Sequence, residues 1–146
     1  MKNLLFISIL ASIIFTQEIW INEFHYDNSG TDEGEFIELS VSSNFTNLSA
    51  VAITLYNGNS NNSYDTVTLN QFNTGSSNNG FTFYYYDFPS NGIQNGAPDG
   101  ISLANGSVLI QFISYEGTLF HAGWVKLIYI CCNSPKQHVG FTMLLR

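Results

Sequence analysis

Side chains able to do chemistry crowd into one short stretch of this sequence. Residues 23–38 hold Glu23, His25, Asp27, Asp32, Glu33, Glu35 and Glu38. The segment 27–35 (DNSGTDEGE) is a loop rich in oxygen ligands. Calcium takes about six to eight oxygens, and Asp27, Asp32, Glu33 and Glu35 are the residues that would supply carboxylates to it. Their spacing is not that of an EF-hand. Asp, Asn and Gly also build ordinary turns, which is the plainer expectation for this loop. His25, between Glu23 and Asp27, has the chemistry of half a zinc or nuclease site. The two other histidines, His121 and His138, lie far along the chain, so a hydrogen-bonded histidine at a strand end is the simpler reading. No G-x-S-x-G elbow is present to signal a serine nucleophile.

Two other segments carry recognition chemistry. Residues 81–86 (FTFYYY) alternate aromatic side chains along a β-prone run, which suits either a core face or a platform on which sugars stack. Residues 94–100 (QNGAPDG) form a tight turn, in which the Asp99 carboxylate should bond nearby backbone N–H groups. Without a following helix or lysine it is no phosphate cradle.

Charge narrows the partners. All 11 acidic residues fall between Glu18 and Glu116, whereas Lys2, Lys126, Lys136 and Arg146 are the only basic ones. Residues 18–121 therefore contain no Lys or Arg. Such a surface repels nucleic acid and anionic membranes, because phosphate binding depends on basic side chains displacing counterions. It attracts cations and basic partners.

The elements that must position these residues are short strands. Apolar or alternating runs at 19–24, 35–41, 51–56, 64–69, 81–88, 101–103 and 108–115 are separated by Asn/Gly/Ser turns. No run in this body has the 3.6-residue apolar period of a helix, so the pattern predicts an all-β sandwich or barrel. The polar tracts 57–63 and 75–80 read as loops.

The chain begins with a charged Met1-Lys2-Asn3, an apolar run over residues 4–15 and a polar exit at 16–18. This is the order of a secretory signal peptide, placed at 1–17, and it is shorter than the about 20 residues of a membrane span. The expectation is a secreted, extracellular protein with no membrane span after signal removal. In a eukaryotic secretory route Asn44, Asn47, Asn61 and Asn105 are sequon positions for glycosylation.

Three phrases in order resemble one family. They are INEFHYDNSGTDEGEFIEL (21–39), LYNGN (55–59) followed by Tyr64, and IQNGAPDGISL (93–103) followed by IQFISYEG (110–117). Together they are similar to the lamin-tail-like domain found in secreted bacterial proteins and extracellular nucleases, over residues 19–121. The resemblance implies an immunoglobulin-like β-sandwich that serves as a non-catalytic attachment. In the nucleases the chemistry belongs to a separate downstream domain.

The organisation expected is thus a signal peptide (1–17), a lamin-tail-like β-sandwich (18–121) and an atypical tail (122–146). The tail departs from the family. It holds three of the four basic residues and the adjacent Cys131 and Cys132, which are ill-placed to bridge each other. It reads as a divergent last strand at 124–130 or, preferably, as misread coding sequence. The expected function is a secreted interaction or tethering module for an extracellular protein or glycan, with no enzyme activity and no cofactor. The alternatives are the N-terminal fragment of a secreted nuclease or other hydrolase lacking its catalytic domain, and a calcium-dependent binding domain.

Overall fold

Alternation decides how the chain folds. In Ile19–Asp27 (β1) the side chains of Ile19, Ile21, Phe24 and Tyr26 are buried, and in Phe36–Ser42 (β2) so are those of Ile37, Leu39 and Val41. Each strand thus has an apolar face that needs a partner layer. The computed structural model describes residues 18–96 and 98–117, together with the backbone of Leu127–Ile130 and Gln137–Gly140. The remaining strands are Val51–Asn57 (β3), Asn62–Thr68 (β4), Asn73–Asn78 (β5), Phe81–Asp87 (β6), Asp99–Asn105 (β7), Val108–Tyr115 (β8), Leu127–Ile130 (β9) and Gln137–Gly140 (β10).

They form two sheets. The front sheet runs β10-β1-β2-β6-β5 and the back sheet β4-β3-β7-β8-β9. Four antiparallel strands make the body of each, β10 adds antiparallel to β1, and β9 adds parallel to β8. The inner faces meet in one apolar core, to which β1 and β2 contribute Ile21, Phe24, Ile37 and Leu39, and the back sheet Ile53, Leu55, Ile101, Leu103 and Ile113. The all-β expectation and its two-layer sandwich form hold. Among the described residues no helix is long and apolar enough to cross a membrane.

One buried polar bond ties the layers. The side chain of Gln111 in β8 crosses the core, and its Oε1 accepts the Ile21 N–H at 2.8 Å. It does so where β1 shifts register against β2, between Ile21 and Glu23. A bulge leaves a main-chain group unpaired, and a buried N–H without an acceptor is costly.

Two sequence expectations need correction. The tract 75–80, read as a loop, lies largely in β5, and Asn62 and Ser63, read as loop, open β4. Every residue of β5 is exposed. An edge strand with neither face buried has no need of apolar alternation, so nothing in its composition marks it; its polar side chains instead keep the edge from recruiting another strand. The signal segment 1–17 and the cysteines Cys131 and Cys132 lie outside the described residues, as does most of the tail.

Candidate functional site

Two regions concentrate polar and aromatic chemistry: the loop end of the sandwich, and the outer face of the front sheet.

At the loop end, the three phrases singled out in the sequence meet. Glu35, just before β2, is fully buried, and its carboxylate accepts the N–H of Gly92 at 2.8 Å and of Ile93 at 3.0 Å. Its carbonyl accepts the Phe88 N–H at 2.8 Å. The loop before β2 is thereby clamped to the connection between β6 and β7. Asp32 is also buried; its Oδ1 accepts the Asn28 N–H at 2.8 Å and its Oδ2 the Asn95 side chain at 3.0 Å. Asn95 reaches Asp27 as well, at 3.4 Å. Gln94 is held on all sides. Its N–H donates to the Tyr64 hydroxyl at 3.0 Å, its carbonyl accepts the Tyr115 hydroxyl at 2.7 Å, and its Oε1 accepts the Asn57 amide at 2.6 Å.

Asp99, at the start of β7, is fully buried, and its Oδ1 accepts the Gly58 N–H at 3.2 Å. The sequence predicts a bond from this carboxylate to nearby backbone amides of its own turn, whereas the amide it holds belongs to a separate loop, 41 positions away. Its Oδ2 is buried without a hydrogen-bond partner. Glycine is required at position 58, because a Cβ there would stand 1.9 Å from the Pro98 carbonyl oxygen.

Burial sets the acidities here. It pushes the Glu35 carboxyl up, against the lowering pull of the Gly92 and Ile93 amides, and nearby Asp32 adds to the rise. Burial likewise raises Asp99, opposed by the Gly58 bond and assisted by Glu116. The Tyr64 hydroxyl is pushed up to about 12, chiefly by burial, and Tyr115 well above its usual value for the same reason.

The four carboxylates considered for calcium thus have separate tasks. Glu35 holds backbone amides across the loop end. Asp32 and Asp27 hold Asn95, and Asp32 also the Asn28 amide. Glu33 is exposed, with its carbonyl accepting from the Asn28 side chain at 2.7 Å. Among the described residues no three His, Cys, Asp or Glu side chains are grouped so as to hold a metal ion. His25 sits on the outward side of β1, its Nε2 3.2 Å from Asn28 Oδ1, as a strand-end histidine would. His121 lies outside the described residues; of the segment carrying His138 the backbone is placed, in register with His25.

The outer face of the front sheet was only half legible in the sequence. Cross-strand partners point to the same side. Tyr84 and Tyr86 of β6 pair with the core residues Leu39 and Ile37, and they pack on the core. Phe81, Phe83 and Tyr85 therefore face outward, opposite Ser42, Ser40 and Glu38. Phe36 pairs with Asp87 on the same side. On β1, Trp20 lies opposite Ser40, Glu23 opposite Glu38 and His25 opposite Phe36. The Trp20 and Phe81 rings meet edge to face at 5.0 Å, and His25 and Phe36 lie 6.5 Å apart. The Trp20 indole N–H is buried with no acceptor. Glu38 accepts the Asn22 amide at 2.7 Å. The result is a half-buried aromatic surface, Trp20, Phe36, Phe81, Phe83 and Tyr85, crossed by Glu23, Glu38 and Asp87.

The sequon asparagines lie elsewhere. Asn44, Asn47 and Asn61 are exposed, and Asn105 is half-buried, where its Oδ1 accepts the Asn47 amide at 3.3 Å.

The fold and this geometry define an all-β, two-sheet protein. Comparison with protein-family models, with curated proteins and with solved structures finds no match.

Proposed function

We propose that this protein is a secreted, non-catalytic binding module that tethers an extracellular protein or glycan through the outer face of its front sheet. The observation that carries the reading is that face: five aromatic side chains on three adjacent strands, turned away from the core. A sandwich needs only one apolar face per sheet, and the other is ordinarily polar. A second aromatic face has no role in the core, and large outward apolar surfaces mark interaction sites. The resemblance of residues 19–121 to lamin-tail-like domains, with their immunoglobulin-like sandwich and attachment role, supports the same reading, as does the signal-like start.

The loop end argues for structure in place of catalysis. Its buried carboxylates each hold backbone N–H groups, and an acid that fixes two loops is poorly placed to trade protons with a substrate.

The test is a binding panel of polysaccharides and extracellular-type peptides probed with the full chain and with the Phe83→Ser/Tyr85→Ser variant. Binding by the parent chain and its loss in a variant that still melts cooperatively is the expected result. Equal binding by both chains, or degradation of DNA or glycan by the pure protein, would overturn the proposal.

A further inference from the structure

We infer that the tip of the β5–β6 hairpin is a self-modifying site, where the Gly80 main-chain nitrogen closes on the Asn79 side chain and converts it to aspartate and isoaspartate. The conversion needs only water, and the inference does not depend on the binding role proposed for the front-sheet face.

Asparagine followed by glycine is the pair in which this reaction is easiest. A glycine nitrogen has no side chain beside it to shield it, and its peptide unit turns freely. The nitrogen attacks the asparagine Cγ. The Cγ–Nδ2 bond breaks, ammonia leaves with the proton that the nitrogen gives up, and a five-membered succinimide remains. Water then opens the ring. Breaking the new N–Cγ bond gives aspartate. Breaking the original main-chain bond gives isoaspartate, in which the chain runs through the side-chain carbon. Asparagine is for this reason among the heat-labile residues of proteins.

The chain holds five Asn-Gly pairs, at 57–58, 79–80, 91–92, 95–96 and 105–106. The fold restrains four of them. Gly58 donates its N–H to Asp99 at 3.2 Å, and the Asn57 side-chain amide is held by Gln94 at 2.6 Å. Gly92 donates to Glu35 and to the Pro89 carbonyl, both at 2.8 Å. Gly106 donates to the Ala50 carbonyl at 2.8 Å. The Asn95 side-chain amide is held by Asp32 at 3.0 Å and by Asp27 at 3.4 Å. A nitrogen or side chain engaged in this way must first be released, and such local opening costs free energy.

The fifth pair is different. Asn79 and Gly80 are both exposed. They are the two-residue connection between Asn78 and Phe81, which pair across the hairpin. Both have positive φ, 63° being exceeded by neither neighbour in the strands and the values here being 50° and 80°, as in the mirror-image turn that Asn-Gly favours. Among the described residues nothing accepts the Gly80 N–H, and nothing is bonded to the Asn79 side chain. The Gly80 carbonyl is anchored, accepting the Ser43 N–H at 2.8 Å, so the 79–80 peptide unit is the part of the tip that can turn. Isoaspartate would add a carbon to the main chain and a carboxylate to the tip, and the turn that sets Asn78 against Phe81 would be lost.

The experiment is peptide mapping by mass spectrometry of the full chain aged in warm, mildly alkaline buffer, once folded and once in concentrated urea. Fragmentation distinguishes isoaspartate from aspartate. In the folded chain Asn79 should convert about tenfold faster than Asn57, Asn91, Asn95 or Asn105, the factor that one net hydrogen bond of protection provides. In urea the five pairs should convert at similar rates, because the protection goes with the fold. Asn79→Gln should remove the first conversion and leave the other four as they were. Conversion led by any other pair in the folded chain would overturn the inference, as would an intact Asn79 under conditions in which the urea-treated chain converts. The same lead of Asn79 in urea would show that the fold does not select it and would overturn the inference too. A first conversion that persists in Asn79→Gln would place it at another residue, with the same consequence.

Discussion

The loop end and the front-sheet face use the same residue types in opposite ways. At the loop end Glu35, Asp32 and Asp99 are buried and turned onto backbone amides or the Asn95 side chain, so their charge is spent inside the molecule. On the face, Glu23 and Glu38 stand opposite each other, half-buried, among rings that a sandwich does not need for its core. A carboxylate's surroundings, and not its presence in an acidic stretch, separate a structural clamp from a candidate contact. Carboxylates drawn from one short run of sequence, residues 23–38, are divided between the two regions.

The comparison is broken most forcefully at Glu35. Glu35→Ala leaves the Gly92 and Ile93 amides without their acceptor, and the account expects a loss of about 3 kcal/mol or more, read as a fall in the denaturation midpoint. Tyr85→Leu on the face should cost under about 1 kcal/mol while changing binding. If the two changes cost the same, the division of roles is wrong.

Gly58→Ala follows. Its methyl would collide with the Pro98 carbonyl, and overpacking of this kind costs about 1–3 kcal/mol. An unchanged melting temperature would show that the two loops are not in firm contact.

Acidity gives a third test. The Glu35 and Asp99 carboxyls are both raised above their usual values of 4.5 and 3.8 by burial. The folded protein therefore holds protons that the unfolded chain has released. Their contribution to stability is full below the unfolded values and is lost as pH rises through the folded ones. Urea denaturation should show greater stability at mildly acidic pH than at neutral pH, and Asp99→Asn should flatten that slope. A slope unchanged in Asp99→Asn would remove Asp99 from the account.

The smallest effect concerns calcium. With Glu35, Asp32 and Asp99 already accepting bonds within the fold, millimolar calcium should leave the melting temperature where it was. A clear rise would mean a cation bound to the native state and would revive the 27–35 loop as its site.

Much of this was legible in the residues. The strands of the core announced themselves by alternation. Turn chemistry pointed to a bond from the Asp99 carboxylate to an amide close by, whereas the amide it holds, Gly58, lies 41 positions away. The phrases at 21–39, 55–59 and 93–103 drew notice as a set, and they are the segments that interlock through Glu35, Gly58, Gln94 and Asp99. Glu35 as a buried clamp was not legible. A glutamate beside Gly34 in an acidic loop reads as solvated, and its amide partners lie 57 and 58 positions away. The aromatic face was legible only along β6. Trp20 and Phe36 join it through cross-strand register, which no single segment records. Strand β5 was missed because an exposed edge imposes no pattern.

The most direct test of the central claim is amide and indole shift mapping of the isotope-labelled full chain during titration with the polysaccharides and peptides of the binding panel. The account predicts shifts gathered on β1, β2 and β6, led by the Trp20 indole N–H and the amides around Glu38 and Tyr85, with the amides of Gly58, Gly92 and Ile93 unmoved. Shifts centred on Gly58 and residues 91–96, with β6 silent, would contradict it and place the binding surface at the loop end.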